Sequence, residues 1–160
     1  MLKQSFSHIQ GVGSKTEKNL WDNNIKDWNS FLNKNKLPLT NKKIDFIKKE
    51  IIESKNQLNR KNPNYFSDGF PSNQHWRLFN DFKNSIAYLD IETTGLYASF
   101  AIITTIAIYD GKEIKHYVNG RNLNDFKIDI LDYNLLVTYN GKYFDIPFIE
   151  EYFNISLNNS

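Results

Sequence analysis

The pattern of apolar and polar positions changes character once along the chain. Between Thr40 and Arg60 the residues Ile44, Ile47, Ile51 and Leu58 recur at helical spacing, with Lys42, Lys43, Lys48, Lys49 and Lys55 on the remaining surface, which predicts one amphipathic helix. Upstream, Gly11 and Gly13 permit a tight turn, and Ser14 followed by Glu17 makes a capping box that starts a first helix. Ile9, Val12, Leu20 and Trp21 give that turn a small core, and Ile25, Trp28, Phe31 and Leu32 read as a further helix closing it. Asn62-Pro63-Asn64 breaks the long helix, and turn chemistry follows from Ser67 to Asn73. From Ile86 the pattern becomes that of strands. A short apolar run ends at Gly95; a β-branched run from Ala101 to Tyr109 follows; Asp110-Gly111 makes a hairpin turn into a return strand, Glu113 to Val118. A weakly helical stretch, Leu123 to Tyr133, then crosses back to a fourth strand, Leu135 to Tyr139, suited to lie parallel to the first. The chain therefore predicts an α/β architecture with a three-strand antiparallel meander plus one parallel strand. Its organisation reads as a helical region over 1–61, a linker and lead-in over 62–82 containing His75-Trp76-Arg77-Leu78-Phe79, and a sheet domain over 83–160.

Candidate chemistry collects at the end of the first strand. Side chains alternate faces with period two, so Asp90 and Glu92 in Leu89-Asp90-Ile91-Glu92-Thr93-Thr94-Gly95-Leu96 project from the same side. Two carboxylates this close disfavour joint ionisation unless a cation lies between them, and Mg²⁺ or Mn²⁺ takes oxygen ligands of this kind. The plainer alternative is a strand running out into a solvated turn. Asp145, in Asn140-Gly141-Lys142-Tyr143-Phe144-Asp145, reads on its own as the N-cap of a last helix. Pro147 is tolerable there because it falls in that helix's first turn. His8, His75 and His116 have no acidic or histidine neighbours at ligand spacing and read as surface or structural residues.

Composition narrows the class. With 12 Phe, 9 Tyr, 3 Trp and 40% hydrophobic residues among 160, the chain can bury a core, and with no cysteine it can build neither a disulfide nor a thiolate metal site. The first residues lack the apolar core of a signal peptide, and the longest apolar stretch is too short to cross a bilayer, so a cytoplasmic protein is expected. The net charge of +2 conceals an asymmetry: residues 1–80 hold 14 Lys and Arg against 7 Asp and Glu, and residues 81–160 hold 6 against 11. A basic front half suits a nucleic-acid-gripping module, or simply a soluble lysine-rich surface. At its start, the glycine turn with Lys15 and Lys18 resembles the hairpin of a helix-hairpin-helix motif, in which Gly11, Gly13 and these lysines would hold a phosphate; a structural turn is the other reading.

Taken together, Leu89 to Leu96 and Asn140 to Asp145 resemble the first and second motifs of DEDD (DnaQ-like) 3′–5′ exonucleases, whose fold is ribonuclease H-like. The opening Phe6-Ser7-His8-Ile9-Gln10-Gly11-Val12-Gly13-Ser14-Lys15, the lead-in His75 to Phe79 and both motifs are similar to bacterial YprB-type ribonuclease H-like domain proteins over nearly the whole chain. The resemblance implies that Asp90, Glu92 and Asp145 are three of four carboxylates that hold two Mg²⁺ or Mn²⁺ ions. It implies hydrolysis of phosphodiester bonds from the 3′ end of single-stranded DNA or RNA by a two-metal mechanism. It also implies contacts to the terminal nucleotide near Thr93, Thr94, Leu96 and Asn140. The sequence departs from the family at one point. No third motif with a fourth Asp follows Asp145; only Glu150 and Glu151 remain, and Asp129 and Asp132 precede the second motif. The fold is thus expected to be an incomplete ribonuclease H-like one, with self-association possible through unpartnered apolar faces of 135–139 and of Phe148, Ile149 and Phe153. Alternatives to an enzyme are a catalytically incomplete nucleic-acid-binding module or a structural partner in a processing assembly.

Overall fold

The structure is a computed structural model that describes residues 1–157. These divide into two compact units, Met1–Asp81 and a second that starts at Phe82.

In the first unit α1 (Ser14–Asp22), α2 (Trp28–Asn33), α3 (Asn41–Asn59) and α4 (Pro63–Gly69) gather around Phe6, Leu20, Ile25, Trp28, Phe31 and Phe66, all buried. The stripe of α3 turns Ile47, Ile51 and Ser54 inward, while Ile44 and Leu58 are half-buried, as the helical spacing requires. Pro63 ends nothing here: it occupies the first turn of α4, whose cap is the Asn62 side chain accepting from the Tyr65 N–H. Of the stretch 62–82 read from sequence as linker and lead-in, residues 62–81 lie in this unit; they carry α4 and a 3-10 segment (Ser72–Leu78), and they bury Phe66, Phe70 and Leu78. A single-turn α5 (Phe79–Phe82) follows.

The expected capping box of α1 does not form. Gly13 occupies the cap position, and Glu17 turns inward, 2% exposed. Its Oε1 accepts the Phe6 N–H at 2.6 Å and the Ser7 N–H at 3.1 Å, and the Arg77 guanidinium donates to both carboxylate oxygens at 2.9 and 3.0 Å. Two buried backbone donors and a bidentate cation outbid one cap hydrogen bond. The box appears one helix later: Asp27 accepts the Ser30 N–H, and the Ser30 hydroxyl accepts the Asp27 N–H.

His8 is 7% exposed, ringed by Trp28, Tyr65, Phe66 and Phe70. Ser54 spends its proton on the Glu50 carbonyl, so at 2.8 Å the His8 Nε2–H must be the donor to Ser54 Oγ, and Nδ1 is left with no partner. Burial, aided by the Arg77 charge, lowers the His8 pKa to about 4. The folded unit then binds fewer protons than the unfolded chain, whose histidine titrates near its ordinary value. Stability is therefore full above that ordinary pKa and falls as pH drops through it toward 4. All three tryptophans, Trp21, Trp28 and Trp76, lie in this unit. Tryptophan-detected melting should lose on the order of 3 kcal/mol between pH 7.5 and 4. His8→Phe, which cannot titrate, should flatten the His8 part of that profile; equal slopes in the two proteins would contradict the assignment.

The second unit holds one sheet of order β3-β2-β1-β4, with β1 Ile86–Thr93, β2 Ile103–Tyr109, β3 Ile114–Val118 and β4 Leu135–Thr138. β1–β2 and β2–β3 are antiparallel and β1–β4 is parallel, the meander-plus-parallel topology expected from the sequence. At the hairpin, Asp110 Oδ1 accepts the N–H groups of Lys112 and Glu113, and Gly111 takes φ +93°. The crossover is three short turns around α6 (Phe126–Asp129), and the chain closes over the sheet with α7 (Asp145–Phe153). One face of the sheet, Ala87, Leu89, Ile91, Ile106 and Ile108, is covered by Phe126, Ile130, Phe148 and Ile149. The expectation that Phe148 and Ile149 lack partners is thus corrected: 4% and 0% exposed, they are centrepieces of this core. β4 remains an edge strand, half-buried throughout.

Candidate functional site

β1 is central, but its two neighbours accompany it to different depths. β2 pairs with it to Thr93, whereas β4 stops at Thr138, opposite Leu89. The last residues of β1 therefore have an open edge on the β4 side, the kind of crevice at the carboxyl ends of parallel strands where α/β folds bind ligands. Ala87, Leu89 and Ile91 point into the core, so Asp90 and Glu92 are held on the opposite, exposed face. A register shift between Glu92 and Thr93 bends the strand where the second carboxylate stands.

The chain returns to this end through the turn after β4. Asn140 takes the left-handed conformation, φ 59°, and Gly141 packs so closely on Thr138 that a Cβ would overlap its side chain. The Asn140 carbonyl accepts the Tyr143 N–H and the Gly141 carbonyl the Ile146 N–H, and α7 begins at Asp145. Phe144, not Asp145, holds the cap position. Asp145 is instead 4% exposed, close enough to the Ile91 N–H of β1 and to Asp90 for both to act on its carboxyl. Its carboxyl is held above the ordinary carboxylate range, mainly by burial and further by the Asp90 charge, against the opposing hydrogen bonds from its own N–H and that of Ile91.

The structure thus brings Asp90 and Asp145 together. Glu92 shares Asp90's face but is not drawn into the pair: among the described residues no three His, Cys, Asp or Glu side chains form a group able to hold a metal. A pair of hard oxygen donors short of positive charge fits a divalent cation; the three-carboxylate ligand set expected from the sequence is not assembled. Two of the other acids are engaged elsewhere. Asp129 accepts from the Tyr117 hydroxyl at 2.7 Å, and Glu150 from the Leu157 N–H at 2.7 Å.

Of the residues expected at the terminal nucleotide, two serve the loop. The Thr93 hydroxyl donates to the Gly95 carbonyl, and Thr94 Oγ1 accepts the Ile102 N–H. Leu96 is exposed, and so are Tyr97 and Phe100 in the same loop and Tyr139 and Tyr143 in the loop after β4; of these aromatics the sequence reading missed Tyr97, Phe100 and Tyr143. Phe100 is 92% exposed and Tyr139 94%, and Tyr143 is exposed as well. Both loops leave the same end of the sheet because β1 and β4 are parallel. Periodicity could not find these aromatics, since they lie in loops; the available signal was their place in sequence, two just after the first acidic motif and two just before Asp145. In the first unit Gly11 (φ +76°), Gly13, Lys15 and Lys18 are exposed on one turn and the helix start behind it. His75 is exposed, its Nε2 3.0 Å from the Ser67 carbonyl, and His116 is exposed on β3.

No helix among the described residues is long and apolar enough to cross a membrane. No curated protein and no solved structure matches the chain. Residues 87–160 match the family model RNase_H_2, described as RNase_H superfamily. The matched segment opens on β1 and carries the mixed sheet, its crossover and the Asp90–Asp145 pair. The four-stranded mixed sheet is consistent with an RNase H-like fold, the fold to which the matched family model points.

Proposed function

We propose that this protein is a metal-dependent 3′–5′ exonuclease-like enzyme acting on single-stranded nucleic acid. The observation that carries the reading is the convergence of Asp90 and Asp145 at the open end of β1, where burial and like charge leave the pair short of a cation. RNase H-like nucleases generally use divalent metals. Asp90 and Asp145, with Glu92 on the same strand end, would hold Mg²⁺ or Mn²⁺. Such an ion, when bound, lowers the pKa of water and neutralises charge on a phosphoryl oxygen. The chain's own part is to orient the strand. Leu96, Tyr97 and Phe100 on one loop and Tyr139 and Tyr143 on the other offer apolar and stacking surface to unpaired bases, and such stacking is worth about 1–3 kcal/mol per base without sequence preference. Asn140 fixes the second loop, and Thr93 and Thr94 the first. In the helical unit, Gly11, Gly13, Lys15 and Lys18 are proposed as an additional phosphate contact.

A second reading, a nucleic-acid-binding module without catalysis, is favoured by one observation: Glu92 stands outside the carboxylate pair. Labelled single-stranded DNA and RNA, tagged at either end and incubated with Mn²⁺, separate the two. Stepwise shortening from the 3′ end that is lost with EDTA and with Asp90→Asn supports the enzyme. Strand binding without cleavage by the folded protein supports the module and removes the enzyme.

A further inference from the structure

α7 links two chemically opposite places. Asp145 opens it beside Asp90, and Tyr152 and Phe153 end it on a cavity of about 430 Å³ whose wall also includes Asn119, Arg121, Asn124 and Lys127. From Phe82 onward the sequence carries ten Asp and Glu against six Lys and Arg, yet this cavity is lined by two of those six cations and no carboxylate. Among the described residues neither Arg121 nor Lys127 has an acidic partner; the nearby Asp129 is taken by Tyr117 and Lys115. Lys127 Nζ lies 5.8 Å over the Phe153 ring. Asn119 Nδ2 donates to the Ile103 carbonyl and, at 3.3 Å, to the Tyr152 hydroxyl, which fixes two polar groups on the wall. A guanidinium, an ammonium, two amides and a phenol with no opposing anion form a site for a phosphate, which a guanidinium can meet with paired hydrogen bonds. The cavity of about 550 Å³ in the helical unit differs: Lys3 and Lys55 line it together with Asp27 and Asp81, so it has no such preference.

Position gives the site its meaning. β1 and β3 both run antiparallel to β2, so their carboxyl ends lie at the same end of the sheet. Glu92 pairs with Thr105 and Thr105 with Val118, one residue before Asn119. The cavity is therefore about 10 Å from the carboxylates across two strand spacings, and about 12 Å along α7. We propose that this cavity binds a backbone phosphate of the single-stranded nucleic acid, a few nucleotides from the end held at Asp90 and Asp145. The proposal rests on the nuclease reading for the strand's course, but its test does not require cleavage.

The test is fluorescence anisotropy of a labelled twelve-nucleotide oligo(dT), and of oligo(U), titrated with the full chain in EDTA over a range of salt. Each phosphate contact to a single strand adds about 0.7 to the slope of log K against log salt, so Arg121→Gln/Lys127→Gln should flatten the slope by about 1.4 and weaken binding about 25-fold at 0.1 M salt. Arg121→Gln alone, which leaves the Lys127–Phe153 contact in place, should give about 0.7 and fivefold. Lys83→Gln/Lys112→Gln, removing the same charge elsewhere in the unit, should change affinity less than threefold. An unchanged slope, an equal loss from the control pair, no binding by the wild-type chain, or displacement by oligo-glutamate as effective as by unlabelled strand overturns the proposal. Cleavage that persists with no effect of the variants refutes this site alone. A clear effect on binding in a protein that never shortens a strand refutes only the nuclease.

Discussion

Asp145→Asn is expected to move stability and activity in opposite directions. The carboxyl is buried at the start of α7, lies close to Asp90 and is held above its ordinary range. A raised carboxyl pKa means that the folded state holds its proton more tightly than the unfolded chain. Stability is then fully present below the ordinary carboxylate pKa and falls as pH rises through the raised value. Asn removes the charge yet keeps the shape. Relief of this kind at a functional site is worth about 1 kcal/mol, a few degrees of Tm for a domain of this size. Because every tryptophan lies in the other unit, exchange of the β1 and α7 amides is the right reporter. Their protection should rise in the variant at neutral pH, and the difference should shrink at pH 4. On the proposed reading Mn²⁺ should stabilise the wild-type amides and not those of the variant, because the ion would need both carboxylates. Cleavage, by contrast, should fall on the order of 10³-fold, the scale of losing one charged group at a reacting centre. Lower protection in the variant at pH 7 would show that Asp145 supports the fold and that no strain is stored there.

The same residue marks how far the sequence could be read. The meander, the parallel return of β4 and the place of Asp90 follow from period-two alternation and from turn residues such as Asp110-Gly111, which act locally. Asp145 had two roles open to it, cap or ligand. The structure gives the cap position to Phe144 and buries the Asp145 carboxyl near Asp90, beside the end of β1 that β4 does not reach, a fact of register that no window of sequence contains. Tyr143 shows the same limit: an aromatic beside Phe144 and Phe148 has the local pattern of core, yet it follows the tight turn at Asn140 and Gly141 and is 79% exposed. Glu17 was read as a capping residue from a correct local pattern. It is buried because Arg77, sixty positions away, and the N–H groups of Phe6 and Ser7 converge on it. Long-range satisfaction of buried polar groups, unlike periodicity, leaves no local trace.

Glu17→Ala is expected to cost the helical unit about 3–5 kcal/mol, which is a large part of a stability of roughly 5–15 kcal/mol. Most of the cost is what the truncation leaves behind. Arg77, 13% exposed with its guanidinium 5.8 and 5.6 Å from the ring centroids of Trp21 and Trp76, would lose its only carboxylate partner among the described residues. The N–H groups of Phe6 and Ser7 would be buried without an acceptor. Glu17→Gln keeps one acceptor oxygen for those N–H groups and loses the charge, so its cost should fall between wild type and Ala. Glu17→Ala/Arg77→Ala should cost less than the two single changes added together, because the second truncation removes the charge that the first had stranded. Urea unfolding followed by tryptophan emission reads this unit directly, since both these tryptophans lie in it. A loss below about 1 kcal/mol for Glu17→Ala would place the pair with exposed salt bridges of little value. In that event the segment from Phe6 to Gly13, and the glycine turn proposed to meet a phosphate, would be held by apolar packing of Phe6, Ile9 and Val12 alone. A cost of the expected size would make Glu17 and Arg77 the clamp that fixes that turn.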